Sequence, residues 1–234
     1  MIMDFESKLL NIRQETSDVK TFRFEVPESF SFLPGQYIML EIALNGEKER
    51  RAFSISSSPT KKGFIEITKK IGDSEFSQKL DSLQKGFVAH VKGPYGVFVF
   101  NESHDAILLA GGIGITTFRS YIEYATDKHL NNKITLFYSN KTPEDIAFRD
   151  ELQDAARKNK NISIIETITR QEGNHDWVGA VGRIDENMIR ENADVEGAIF
   201  YICGPPAMVD AMVDTVKNIG IPKERIKLEK FVGY

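Results

Sequence analysis

Arg51-Ala52-Phe53-Ser54-Ile55-Ser56-Ser57 places a guanidinium, an aromatic ring and a run of hydroxyls within one short segment. An aromatic side chain there can lie against a flavin ring, and a serine hydroxyl can hydrogen-bond flavin N5, the atom that receives a hydride. The planar fork of Arg51 suits a phosphate. A plainer account of the same residues is a strand running into a polar turn ahead of Pro59. A second segment, Leu108-Leu109-Ala110-Gly111-Gly112-Ile113-Gly114-Ile115-Thr116, reads as a buried strand turning through glycines into a helix. Backbone N–H groups in such a turn can approach a dinucleotide pyrophosphate closely. It is not a G-x-G-x-x-G fingerprint. A third, Tyr201-Ile202-Cys203-Gly204-Pro205-Pro206-Ala207-Met208, ends a strand in a thiol and starts a helix on proline, which suits the first helical position. Cys203 and Gly204 then fall at the carboxyl edge of a sheet, where open α/β folds bind ligands. Thr68 and Lys69, on a strand, and Ser77, near a short helix, offer a hydroxyl, a charge and N–H groups to a pyrophosphate.

These residues need elements to hold them, and the chain has two textures. The first hundred residues read as short strands rich in β-branched and aromatic residues: Leu9–Ile12, Val19–Val26, Tyr37–Ile42, Arg51–Ile55, Phe64–Lys70, Phe87–Val91 and Val97–Val99. Pro34-Gly35, Asn45-Gly46, Ser58-Pro59 and Gly93-Pro94 supply turns between them. This pattern predicts an antiparallel β-barrel or sandwich with one embedded helix at Glu75–Leu83. Beyond residue 103 the strands become continuous apolar runs, Ala106–Ala110, Lys133–Tyr138, Asn161–Thr167 and Ala198–Cys203. They alternate with helices predicted through Thr126, over Pro143–Lys158 and through Ile219. Such alternation predicts an α/β domain with a parallel sheet covered on both faces. The expected division is 1–102 and 103–234.

Composition narrows the function. A net charge of −4 argues against a general nucleic-acid binder. No apolar run approaches the roughly 20 residues of a membrane span, and the start of the chain lacks a signal-peptide pattern, so a cytoplasmic protein is expected. The single cysteine, Cys203, excludes an internal disulfide and a four-cysteine iron–sulfur cluster. The histidines, His90, His104, His129 and His175, show no metal-site spacing, so no metal is expected and any redox centre must be an organic cofactor.

Taken in order, Arg-x-Phe-Ser at 51–54, Gly-Pro-x-Gly at 93–96, Gly-Gly-x-Gly-Ile-Thr at 111–116 and Cys-Gly-Pro-Pro at 203–206 resemble the ferredoxin–NADP⁺ reductase family over nearly the whole chain. The resemblance implies an FAD-binding barrel followed by an NAD(P)-binding domain, with the nicotinamide meeting the flavin between them. By position it implies that Arg51, Phe53 and Ser54 contact FAD, with Ser54 near N5. Thr68, Lys69 and Ser77 would lie along the FAD phosphates. Gly112, Gly114 and Thr116 would receive NADPH or NADH, with Cys203 close to the nicotinamide. The far phosphate end would be met by Ser139, Asn140 and Lys141, with Arg170 a further candidate. In the tail, Glu229 is a candidate for moving protons, and either Phe231 or Tyr234 for shielding the flavin. Two departures stand out: Thr117 occupies a position where the family commonly has Pro, and Lys141 one that often carries Arg.

The function implied is an NAD(P)H-dependent flavoprotein reductase that moves hydride between NAD(P)H and FAD and passes electrons to a separate carrier such as ferredoxin or flavodoxin. An NAD(P)H:flavin reductase and an electron-transfer subunit of a larger complex are the alternatives. Lys61, Lys62, Lys69, Lys70 and Lys92 are a candidate docking patch for an acidic partner, or else ordinary solvated surface.

Overall fold

A computed structural model of the chain describes residues 1–44, 46–170 and 176–231. Six strands, β1 (Met3–Gln14), β2 (Val19–Glu25), β3 (Tyr37–Leu44), β4 (Glu47–Ser54), β5 (Phe64–Lys70) and β6 (Val88–Tyr95), form an antiparallel sheet in the order β4-β3-β6-β1-β2-β5. The sheet curls until its edges meet, and a single bridge between Ile55 and Ile67 closes β4 onto β5. Alternation in these strands turns Leu9, Phe22, Phe24, Ile38, Leu40, Ile65, Ile67 and Val91 inward, all of them fully buried. Helix α1 (Glu75–Asp81) plugs this core with Phe76 and Leu80, and Ser74 caps it by accepting the Ser77 N–H.

The second half is a parallel sheet: β7 (Ala106–Gly111), β8 (Ile134–Asn140), β9 (Ile162–Ile168), β10 (Ala180–Val181), β11 (Ile199–Gly204) and β12 (Ile226–Lys230), in the order β10-β9-β8-β7-β11-β12. Helices α2 (Ile115–Asp127), α3 (Arg149–Lys158), α4 (Glu186–Asn192) and α5 (Pro206–Asn218) cover it. Its strands need continuous apolar sequence because alternate residues serve opposite faces. Leu108, Leu136 and Tyr201 pack with Phe118, Tyr121 and Leu152. Leu109, Phe137 and Ile202 pack on the other side with Ile189, Val209 and Val216. Successive connections run outward from β7 on one side and β11 on the other, so a crevice opens between the carboxyl ends of β7 and β11.

Several sequence expectations are corrected. Val97–Val99 is not a strand, and Gly93-Pro94-Tyr95 is not a turn but the end of β6, paired with Met3 on one side and Tyr37 on the other; the Gly93–Pro94 peptide is cis. Gly is needed there because a Cβ would lie 2.9 Å from Ile38 Cγ2. The helix expected over Pro143–Lys158 is broken: a 3₁₀ turn at Pro143–Asp145 is capped by Thr142, and α3 begins only at Arg149. Between them Ile146, Ala147 and Phe148 leave helical geometry to reach the core, where each is buried. Three short elements, β10, α4 and β12, were not anticipated.

Candidate functional site

The crevice is built by the glycine turn. After β7 the chain makes a 3₁₀ turn at Gly112–Gly114 and enters α2. Gly112 has φ +50° and no heavy atom within 4 Å of where a Cβ would stand, so one side of its backbone is open. Gly114 is the opposite case, since an added Cβ would lie 2.3 Å from the carbonyl oxygen of Cys203. The β7 and β11 loops are therefore in direct backbone contact. A cavity of about 380 Å³ opens over Gly112, bounded by Ser139, Asn140 and Lys141 at the end of β8 and by Met208 on α5. Arg183, beyond β10, adds a second cation. Asp18, Val19 and Lys70 reach across from the barrel, with Lys70 Nζ 2.7 Å from the Asp18 carboxylate.

A second cavity, of about 430 Å³, lies between the barrel and the glycine turn. Its barrel side carries Tyr37, Arg51, Phe53, Ser54, Thr68 and Lys69, and its far side Ile113, Thr116, Glu229 and Phe231. Phe53 stacks on Phe76 with ring centroids 6.0 Å apart, and the Arg51 guanidinium lies 5.3 Å from the Phe76 ring centroid. Arg51 is also paired with Glu49 at 2.7 Å. Burial pulls the Lys69 ammonium below its ordinary pKa. Both volumes fall in the range of small-ligand sites, and Ile113 and Lys70 are walls of both.

A hydrogen-bond chain crosses from one half to the other beside these cavities. The Cys203 thiol faces Thr117 Oγ1 at 4.0 Å, and Thr117 Oγ1 donates to Ser54 Oγ at 3.2 Å. Burial, with the nearby Glu229 carboxyl, holds the Cys203 thiol well above its ordinary pKa, so it stays protonated and is no nucleophile. Glu229 pairs with Cys203 in the β11–β12 ladder. Burial pushes its carboxyl up to about 7, and its Oε2 is buried without a hydrogen-bond partner among the described residues.

The expected residues are thus distributed unevenly. Arg51, Phe53, Ser54, Thr68, Lys69, Glu229 and Phe231 share the barrel-side cavity, and Thr116 joins them rather than Gly112. The Thr68 hydroxyl is engaged by Thr21 at 2.8 Å and Ser56 at 2.9 Å, which leaves its backbone and methyl for the cavity. Ser77 lies outside the walls: its buried hydroxyl accepts the Gly72 N–H at 2.8 Å and shapes the loop that presents Ser74 instead. Gly112, Ser139, Asn140 and Lys141 share the other cavity, whereas Gly114, Cys203 and Gly204 stand behind it as packing. Arg170 is exposed, its N–H held by the Lys141 carbonyl at 2.8 Å, and is not among the walls. Tyr234 and His175 lie outside the described residues.

Sequence reasoning missed Tyr37, Phe76, Lys70, Asp18 and Arg183. Lys70 sits beside Lys69, and Tyr37 follows the Pro34-Gly35 turn, so both had a local signal. Arg183 follows a two-residue strand and had none. Of the lysines considered as a docking patch, Lys61 is paired with Asp127 at 2.9 Å, Lys70 with Asp18, and Lys92 with Asp4 at 3.2 Å, and Lys62 donates to the Pro59 carbonyl at 3.1 Å. Lys69 lies in a cavity wall. Among the described residues no helix is long and apolar enough to cross a membrane, and no cluster of three or more His, Cys, Asp or Glu could hold a metal ion.

Residues 6–100 match the model of an oxidoreductase FAD-binding domain, and residues 108–214 that of an oxidoreductase NAD-binding domain. The chain is 30% identical over 240 residues to sulfhydrogenase 2 subunit gamma of Pyrococcus furiosus, covering 95% of this chain and 81% of that one. The chain belongs to the ferredoxin–NADP⁺ reductase family. It is 28% identical over 242 residues to the reductase component of propane 2-monooxygenase of Rhodococcus jostii, covering 99% of this chain but only 65% of that longer protein. In fold it is similar to a ferredoxin NADP⁺ reductase of Neisseria gonorrhoeae with bound FAD and NADP, with a TM-score of 0.84 at 22% identity over 97% of this chain and 98% of that one. This family member is an NAD(P)H-dependent flavoprotein reductase, an oxidoreductase with FAD and a nicotinamide dinucleotide as its cofactors.

The residues present suit both groups. The aromatic side chains and the unpartnered carboxylate oxygen of Glu229 suit a flat, heteroatom-rich ring system. The open face of Gly112, at the switch point of the parallel sheet, suits a pyrophosphate.

Proposed function

We propose that the chain is the reductase of a redox system whose acceptor is a separate electron carrier, a ferredoxin or flavodoxin. On this proposal the chain divides at residues 102 and 103 into an FAD-binding and an NAD(P)-binding domain. FAD, when bound, supplies the conversion between a two-electron hydride donor and a one-electron acceptor. Arg51 and Lys69 would hold its phosphates, Phe53 would lie against its ring, and the Ser54 hydroxyl would face N5. Gly112 would receive the dinucleotide pyrophosphate, and Lys141 with Arg183 would meet its far phosphate end. Glu229 would carry a proton at the edge of the ring system, and Phe231 would cover that ring from solvent. A cytoplasmic setting is part of this proposal.

The observation that carries the proposal is the shared wall. Ile113 and Lys70 bound both cavities, so ligands in the two would lie side by side. The test is an anaerobic titration of the purified protein with NADPH and with NADH, following the visible flavin band. A yellow protein that bleaches supports the proposal, and the dinucleotide that bleaches it faster identifies the donor. A colourless protein that binds no added FAD overturns the roles of Arg51, Phe53 and Ser54.

A second reading, an electron-transfer subunit active only within a complex, is favoured by the similarity to a sulfhydrogenase subunit over most of both chains. Failure of the isolated yellow protein to reduce artificial dyes with NAD(P)H would support it.

A further inference from the structure

Thr117 is fully buried at the first turn of α2, in the dinucleotide half of the molecule, yet its hydroxyl is spent on the barrel. It donates to Ser54 Oγ at 3.2 Å and lies 4.0 Å from the buried Cys203 thiol, which donates to it. Ser54 is only half-buried and forms part of the barrel-side cavity wall. A hydroxyl carries one hydrogen. A Ser54 oxygen that accepts from Thr117 must turn its own hydrogen elsewhere, and the direction left open is the cavity. Three groups in series, thiol, threonine and serine, therefore point their hydrogens one way. Proline, which the resemblance gives as common at this position, has no hydroxyl and could not take part.

We propose that Thr117 is a positioning residue that orients the Ser54 hydroxyl as a donor into the flavin cavity, coupling the α2 helix to the reacting edge of the cofactor. The proposal rests on the assignment of Ser54 to flavin N5. A serine freed from Thr117 can rotate and accept rather than donate, which changes the hydrogen bond offered to N5 and with it the balance between the oxidised and reduced ring.

The experiment compares wild type with Thr117→Val and Thr117→Ala, which delete the hydroxyl, and Thr117→Ser, which keeps it. For each, FAD content after gel filtration, the flavin midpoint potential and the stopped-flow rate of flavin reduction by NADPH and NADH are measured. The hydroxyl-free variants are expected to retain FAD and to show a shifted flavin midpoint potential. Their reduction rate at saturating dinucleotide should fall about tenfold with the half-saturating concentration unchanged. Thr117→Ser should restore both. Wild-type potential and rate in FAD-loaded Thr117→Val or Thr117→Ala would overturn the proposal while leaving Ser54 at N5. A defect that Thr117→Ser fails to restore would also overturn it, by assigning the effect to packing. Wild type without FAD would remove the Ser54 assignment itself.

Discussion

The Arg119 guanidinium on α2 meets the Glu66 carboxylate on β5 at 2.7 Å, joining the two halves of the molecule through a buried ion pair. Arg119 also donates to the Ser56 carbonyl at 3.1 Å and to Glu151 at 2.8 Å, and Glu66 is held from its other side by Arg23 at 2.8 Å. Along the same helix Ser120 donates to the Ser57 carbonyl at 2.8 Å, and Glu123 accepts the Ser58 N–H at 2.7 Å. The helix that begins at the glycine turn is thus bolted to the barrel along its length.

Removing one partner of that pair leaves a buried charge uncompensated. Arg119→Met is expected to destabilise the protein by about 3 kcal/mol, measured by urea unfolding at pH 7. Burial pushes the Glu66 carboxyl up, but Arg119 and Arg23 pull harder, and its pKa ends below the ordinary 4.5. Its contribution is therefore fully present above that value and lost as pH falls through the lower, folded-state pKa. The difference between wild type and Glu66→Gln should shrink in strong acid, and a gap independent of pH would refute the charge assignment.

Glu229 has the opposite sign. Its carboxyl is raised to about 7 from 4.5 by burial, so the folded state binds the proton more tightly than the unfolded chain does. The corresponding stability is complete below pH 4.5 and is lost as pH rises through 7, a change of about 3 kcal/mol. Glu229→Gln is expected to flatten this part of the profile and to raise the melting temperature relative to wild type at pH 8. Parallel melting profiles for the two proteins from pH 5 to 8 would count against it.

Gly114→Ala should be poorly tolerated and Gly112→Ala much less so for stability. The added methyl at 114 meets the Cys203 carbonyl oxygen at 2.3 Å, a backbone atom with nowhere to go, whereas at 112 it meets nothing within 4 Å. At 112 the cost is the left-handed backbone, roughly 1 kcal/mol, together with weaker NAD(P)H binding in the cavity the methyl enters. Unfolding curves and dinucleotide titrations of both variants separate the two effects. Equal stability losses would contradict the geometry.

Lys141 and Arg183 flank the far end of the dinucleotide cavity. Lys141→Ala and Arg183→Ala are each expected to raise the half-saturating concentration of NADPH by about tenfold and that of NADH by less. Equal effects on both dinucleotides would show that neither cation distinguishes an additional phosphate.

Much of this was legible in the sequence because the relevant signals are local. Alternating strands, continuous apolar strands and glycine turns each follow from the backbone's own requirements, and the segments 51–54, 111–116 and 203–206 each contain residues that line a cavity or pack directly behind one. The missing parts depend on contacts between distant segments. Ser77 is a nearer case, its hydroxyl accepting the N–H of Gly72 five residues before it. Gly93-Pro94 has the composition of a turn, yet pairing with β1 and β3 keeps it in a strand. The link from Cys203 through Thr117 to Ser54 spans most of the chain, and no local pattern marks it. The acidic partners of Lys61, Lys70 and Lys92 come from other parts of the chain, and nothing beside the lysines in the sequence announces them.

The shared wall of Ile113 and Lys70 has a thermodynamic corollary. A ligand that shifts either side chain in one cavity reshapes the other, so the two binding equilibria carry a coupling free energy. Linkage makes that coupling reciprocal: whatever factor FAD exerts on dinucleotide affinity, the dinucleotide must exert on FAD affinity. The effect of FAD on dinucleotide affinity and the effect of the dinucleotide on FAD affinity would then be two measurements of one quantity.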